Sequence, residues 1–151
     1  MSKAPHITVA CVIERDSRFL MVREESDGLI VYNQPAGHLE PGESLISAAV
    51  RETLEETGWR VKITQFLGIY QYTSPLNGIS YLRHCFVASP VAKVQDAKLD
   101  EDILEACWLS LSEIKSKESE LRSPLVLEVL NDFINAKIFP LSLTHSTVQE
   151  F

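Results

Sequence analysis

Three carboxylates, Glu52, Glu55 and Glu56, lie close together in a stretch rich in helix formers. An α-helix turns about 100° per residue, which puts Glu56 about 40° from Glu52 and Glu55 about 60° away on the other side. All three therefore share one face. Crowding them is unfavourable: an i,i+4 like-charge pair such as Glu52–Glu56 costs about 0.2–0.5 kcal/mol. No lysine lies in the segment to offset them, and Arg51 is the one neighbouring cation. Side chains that offer only oxygen suit a hard cation such as Mg2+. Mg2+ usually keeps some waters and takes substrate phosphates as its other ligands. A solvated acidic face would have the same three residues. What separates the two readings is the company they keep: Glu43, the Gly37 turn, Arg51 and the Gly58 stop.

The elements that must position these residues follow from pattern. Ser44 to Thr57 has no Gly or Pro, and Gly58 follows as a C-terminal stop, so a helix is expected there. Its other face, Ile46, Val50, Thr53 and Thr57, is expected to meet a sheet. Ile7–Ile13 and Phe19–Val22 flank a polar turn and predict a hairpin. Phe66–Tyr72 and Ile79–Ala88 predict a second one across Pro75-Leu76-Asn77-Gly78, where Asn-Gly is the signal. An acidic loop, Asp96–Glu101, leads to a short strand at Ala106–Leu109. Ser123-Pro124 opens a last helix whose stripe is Val126, Val129, Leu130, Phe133 and Ile134. Strands, helix, strands, helix predict an α/β (α+β) chain with a mixed sheet and helices on its faces.

The chain has 151 residues, 45% hydrophobic and 23% charged, which is ordinary globular composition and predicts one domain over 1–151. Residues 142–151 read as a short polar tail, expected to fray. The net charge of −7 argues against polymeric nucleic acid, which wants a basic face. It leaves phosphate substrates open, because a bound metal reverses the local charge. No apolar run is long enough for a membrane helix and the N-terminus lacks a signal-peptide pattern, so a cytoplasmic protein is expected. Cys11, Cys85 and Cys107 lie singly in apolar runs and read as reduced packing residues. Sequence leaves monomer and homodimer equally open.

Gly37 to Trp59, GHLEPGESLISAAVRETLEETGW, resembles the Nudix box, Gly-x5-Glu-x7-Arg-Glu-U-x-Glu-Glu-x-Gly-U, where U is bulky and apolar. Gly37, Glu43, Arg51, Glu52, Glu55, Glu56, Gly58 and Trp59 stand at its fixed positions. Thr53 departs from it, because the family usually has an aliphatic residue there. Ile7–Val12, Asn33–Glu40, Leu121–Val126 and Phe139–Leu141 resemble one subgroup of bacterial phosphatases in that family. The resemblance implies the Nudix α/β/α sandwich.

For function it implies hydrolysis of phosphoanhydrides by metal-activated water, with Mg2+ as cofactor and Mn2+ as a substitute. Glu52, Glu55 and Glu56 would hold the metal and carry catalysis, with the carbonyl of Ala36 as a further ligand. Arg51 and Glu43 would be a structural pair. The base could be Glu55, or Glu101, Asp102 or Glu105 near the late strand. The subgroup implies release of orthophosphate from nucleoside tri- and diphosphates, and from hydroxymethylpyrimidine pyrophosphate or thiamine pyrophosphate. The alternatives are a Nudix pyrophosphohydrolase of another substrate, such as an oxidised nucleotide or dinucleoside polyphosphate, and a non-catalytic Nudix-fold binding module. Tyr32, Tyr72 and Tyr81 could stack on a ring. Arg23, Arg83 and Arg122 could hold phosphates, Arg122 foremost for its place before a helix.

Overall fold

In the computed structural model, which describes residues 4–148, the run from Ile7 to Ile13 lies within strand β1 (His6–Arg15). Thr8 through Ile13 are all buried, which marks a strand covered on both faces. β1 turns into β2 (Arg18–Ser26), and a second turn leads to β3 (Leu29–Asn33). The very short β4 (Ala36–His38) pairs with β1 and delivers the chain to helix α1 (Leu45–Thr57). The long hairpin β5 (Trp59–Thr73) and β6 (Ser80–Lys93) follows, then β7 (Ile103–Ser110), α2 (Leu111–Ser116) and α3 (Leu125–Ile134). The strand order is β3-β2-β1-β6-β5, with β4 also on β1 and β7 also on β2. β1 and β6 are parallel and the other pairs antiparallel, so the sheet is mixed.

The two-residue period of β1 sorts its side chains into two cores. Val9, Cys11 and Ile13 point to the layer holding Ala48 and Ala49 of α1. Ala10 and Val12 point to the opposite layer, with Val126, Val129 and Leu130 of α3 and Ile114 of α2. The result is the α/β/α sandwich that the resemblance implies, with the mixed sheet and flanking helices expected from the pattern.

Several details differ from the sequence reading. α1 is rotated slightly: Ala48, Ala49, Thr53 and Thr57 lie deepest, while Ile46 and Val50 pack at the flank. Small side chains let this helix approach β1 closely. β5 and β6 are longer than expected because three register shifts let the hairpin continue through Lys62 and Thr64. α2 is a short helix that the hydrophobic pattern does not predict, although Ser110 and Glu113 form a reciprocal capping box. α3 starts one residue later than expected, with Pro124 rather than Ser123 at its N-cap, although Ser123 Oγ accepts the Leu125 N–H (3.2 Å); Ile134 is exposed and outside the apolar stripe. Residues 141–148 run beside the start of α1, with Thr144, His145 and Val148 facing Leu39 and Leu45. The rest of the expected tail, 149–151, lies outside the described residues. Cys11 and Cys85 are buried and Cys107 half-buried, all unpaired. Among the described residues no helix is long and apolar enough to cross a membrane.

Candidate active site

The turn from β4 into α1 is built around Arg51. Its Nε and Nη2 donate to the two oxygens of Glu43 at 3.0 and 2.6 Å. Nη2 also reaches the carbonyl of His38 (3.0 Å), and Glu43 accepts from Glu40 N–H (2.8 Å). One guanidinium thereby ties the loop before the helix to the helix itself. Its Nη1 donates to Glu52 (2.9 Å) and Glu55 (3.1 Å), so Arg51 also offsets the crowded carboxylates. Arg51 pulls the Glu43 carboxyl below the usual range. A Cβ at Gly37 would overlap the carboxyl group of Glu52 and force that side chain to shift.

Glu56 is buried and accepts the backbone N–H of Ala36 at 2.9 Å. Burial, with Glu24 nearby, pushes its carboxyl up to about 9. Burial likewise raises Glu52 to about 7 despite Arg51. Carboxylates held this far above their ordinary value favour any partner that brings positive charge.

The decisive neighbour comes from the acidic loop. One carboxylate oxygen each of Glu52, Glu55 and Asp100 lie within 4.8 Å of one another. Asp100 was not singled out from sequence. Its position is set by main-chain bonds: Asp100 N–H donates to the Glu55 carbonyl (3.0 Å), one of the carbonyls that a helix end leaves without a partner. Val94 N–H donates to Gly58 O (2.8 Å), and Glu25 N–H to Asp102 O (2.9 Å), which fasten the loop at both ends. Gly58 has φ 76°, and a Cβ there would crowd Ala97.

Beside this cluster lies a cavity of about 410 Å³, lined by Glu52, Glu56, Ala36 and Gly37 at one side. Arg83, Arg122, Tyr72, Tyr81 and Asp102 line it as well. Arg122 donates to the buried Glu24 at 2.8 Å, and its own N–H is fixed by the Tyr32 carbonyl (2.8 Å). Glu24, a second residue missed from sequence, sits in β2 between polar positions with nothing local to mark it. Arg83 donates from Nη2 to Asn33 (2.9 Å) and Gln34 (3.1 Å). Arg23 and Glu105 face each other across β2 and β7 and do not line the cavity. Glu101 does not line it either. Tyr32 packs in the α3-side core under Lys117.

The NUDIX domain model matches residues 4–129. The chain belongs to the Nudix family. It is 39% identical to phosphatase NudJ of Shigella boydii over 139 residues, covering 92% of this chain and 90% of that protein. Against NudJ of Escherichia coli K12 the identity is 38% over the same span and coverage. A solved Nudix hydrolase from Nitrosomonas europaea is 43% identical and superposes with a TM-score of 0.94, covering 97% of this chain and 100% of that one. The protein is thus a Nudix hydrolase closely related to bacterial NudJ phosphatases, with an acidic cluster suited to a divalent cation where the Nudix box meets the cavity.

Proposed function

We propose that this Nudix hydrolase is a Mg2+-dependent phosphatase with the NudJ product pattern. It releases orthophosphate from nucleoside tri- and diphosphates, and from hydroxymethylpyrimidine pyrophosphate or thiamine pyrophosphate. The observation that carries the reading is the convergence of Glu52, Glu55 and Asp100 beside a cavity that also presents Arg83 and Arg122. NudJ relatives covering nearly the full chain support the product.

The residues fit a hard cation. The converging donors are all carboxylate oxygens, and desolvation raises both the part-buried Glu52 and the buried Glu56, so a cation there would favour their charged forms. Glu52, Glu55 and Asp100 would hold Mg2+ or Mn2+, with Glu56 and the Ala36 carbonyl adjoining. Bound there, the ion supplies the charge that draws phosphate in, offsets the charge developing in the transition state, and acidifies a water.

The chain does the rest. Arg122, held by Glu24, presents its guanidinium to the phosphate chain. Arg51 and Glu43 fix the backbone on which Glu52 and Glu55 stand, a positioning role. Glu55 in the cluster and Asp102 on the cavity wall are the carboxylates placed to accept the proton of the attacking water. Thr53, buried against the sheet, satisfies its hydroxyl within the helix by donating to Ala49 O (2.8 Å). The matched region, 4–129, contains the box and the whole cavity wall, so we read the chain as one catalytic unit.

The test is a Mg2+ assay with GTP, GDP, thiamine pyrophosphate and hydroxymethylpyrimidine pyrophosphate, identifying each phosphate product. Orthophosphate abolished by chelator is expected. Pyrophosphate from GTP would instead assign a pyrophosphohydrolase, and no turnover on a broad nucleotide panel would assign a binding module.

A further inference from the structure

The cavity has two unlike ends. A contiguous pocket shares Glu24, Glu56, Asp102 and Arg122 with it and adds Asp100, but contains neither Arg83 nor an aromatic residue. That is the charged end. In the part outside that pocket the sheet register sets rings around one arginine, which Asn33 links to Glu24. Thr8 on β1 lies between His38 on β4 and Arg83 on β6, so the three share a face. On the same face Tyr81 sits opposite His6 and Tyr72. His6, His38 and Tyr81 pack edge to face with centroids 5.0 to 6.4 Å apart.

Arg83 in this setting is unusual. It is 6% exposed, yet no carboxylate pairs with it among the described residues. Its hydrogen bonds run from Nη2 to neutral amide oxygens of Asn33 and Gln34. Its Nε–H is buried without an oxygen or nitrogen acceptor, and the buried Cys85 thiol lies near its guanidinium. Buried guanidinium groups are ordinarily paired, and an orphaned buried donor calls for an acceptor. The cavity it lines also carries Tyr72, Tyr81, His38 and Leu76, side chains that suit a flat ring.

We propose that Arg83 is the specificity-determining residue for the heterocyclic base of a nucleotide substrate. Its guanidinium donates to a keto oxygen or ring nitrogen on the edge of a base that lies among Tyr72, Tyr81 and His38. The phosphates extend from there toward Arg122 and the carboxylate cluster. This rests on the nucleotide phosphatase reading above, and it removes Arg83 from the set of phosphate-holding arginines.

Binding, read without turnover, tests it. Calorimetry in Mg2+ compares β,γ-methylene-GTP with methylenediphosphonate, which keeps the bridged phosphonate and lacks the nucleoside. For Arg83→Lys and Arg83→Gln, the nucleotide analogue should bind about 10- to 100-fold more weakly, the worth of a hydrogen bond to a charged donor. Methylenediphosphonate should hold its wild-type affinity. Equal losses for both ligands would make Arg83 a phosphate holder, and no loss for either would make it a structural partner of Asn33 and Gln34; each overturns the proposal. Should both variants fail to fold, the wild-type protein decides. An analogue with benzene in place of the base stacks but accepts no hydrogen bond, and it should bind about 10- to 100-fold more weakly than β,γ-methylene-GTP. Equal affinity would refute the assignment. Absence of wild-type GTP turnover with these binding results intact would fail the phosphatase reading and leave base recognition standing.

Discussion

Glu56→Gln separates the metal site from the fold, and the structure sets both the sign and the size of its effect. Burial and the neighbouring Glu24 hold the Glu56 carboxyl at about 9, against an ordinary 4.5. Without metal, the folded protein therefore binds a proton that the unfolded chain releases throughout that window. Stability then falls as pH rises between 4.5 and 9, because the folded state carries more protons than the unfolded one. At pH 7 the burden is at most about 3.5 kcal/mol, from about 1.4 kcal/mol per unit over roughly 2.5 units, and it keeps growing toward pH 9. At pH 5 it is under about 1 kcal/mol. Glutamine removes the titration and can still accept the Ala36 N–H. In chelator, Glu56→Gln should therefore melt about 3–10 °C above wild type at pH 7. Most of that gain should vanish at pH 5. With Mg2+ the order changes: wild type should be stabilised far more than the variant, and turnover of the variant should fall about 100-fold or more. Melting curves at pH 5, 6, 7 and 8, with chelator and with Mg2+, measure all of this. A melting difference in chelator that does not change with pH, or a variant less stable than wild type at pH 7, would refute the reasoning.

Three further outcomes follow from the same geometry. Gly37→Ala places a methyl group against the Glu52 carboxyl; it should stay folded by circular dichroism while Mg2+ titration shows weakened binding and assays show lost turnover. Asp100→Asn should raise the Mg2+ concentration for half-maximal activity about 10-fold or more, with little change in melting temperature because the loop is held by main-chain bonds. Glu43→Gln breaks the bidentate pair with Arg51 and should cost about 1–3 kcal/mol at pH 7 by urea unfolding. Because Arg51 lowers the Glu43 carboxyl, that cost is present above the ordinary carboxylate value and should shrink as pH falls through the lowered one.

The parts of this site that sequence made legible are those with local spacing. Glu52, Glu55, Glu56, Arg51 and Glu43 lie on one helix or the turn before it, so helical geometry alone relates them. The same holds for the two hairpins and for α1, whose cap and stop residues are local signals. What stayed hidden depends on pairing between distant strands. Asp100 reaches Glu52 and Glu55 because its N–H closes the open end of α1, and an acidic loop shows nothing of that in sequence. Glu24 faces the cavity while Arg23 turns away, a one-residue parity that only strand register fixes. Sequence sets Arg122 ahead of Arg23 only by its place before a helix, and nothing local separates Glu105 from Asp102. Register also turns Thr8, His38, Arg83, Tyr81 and Tyr72, scattered over four strands, into one wall. The carboxylates of the box are thus written in a helix and readable together, whereas the single candidates Tyr72, Tyr81 and Arg83 are joined into one wall only by the sheet. Family resemblance follows the same division. The box residues sit on α1 and its turn, while the wall that would face the base comes from β1, β4, β5 and β6. A change of substrate can therefore be made on the strands without touching the carboxylates, and Arg83 is where this chain would make it.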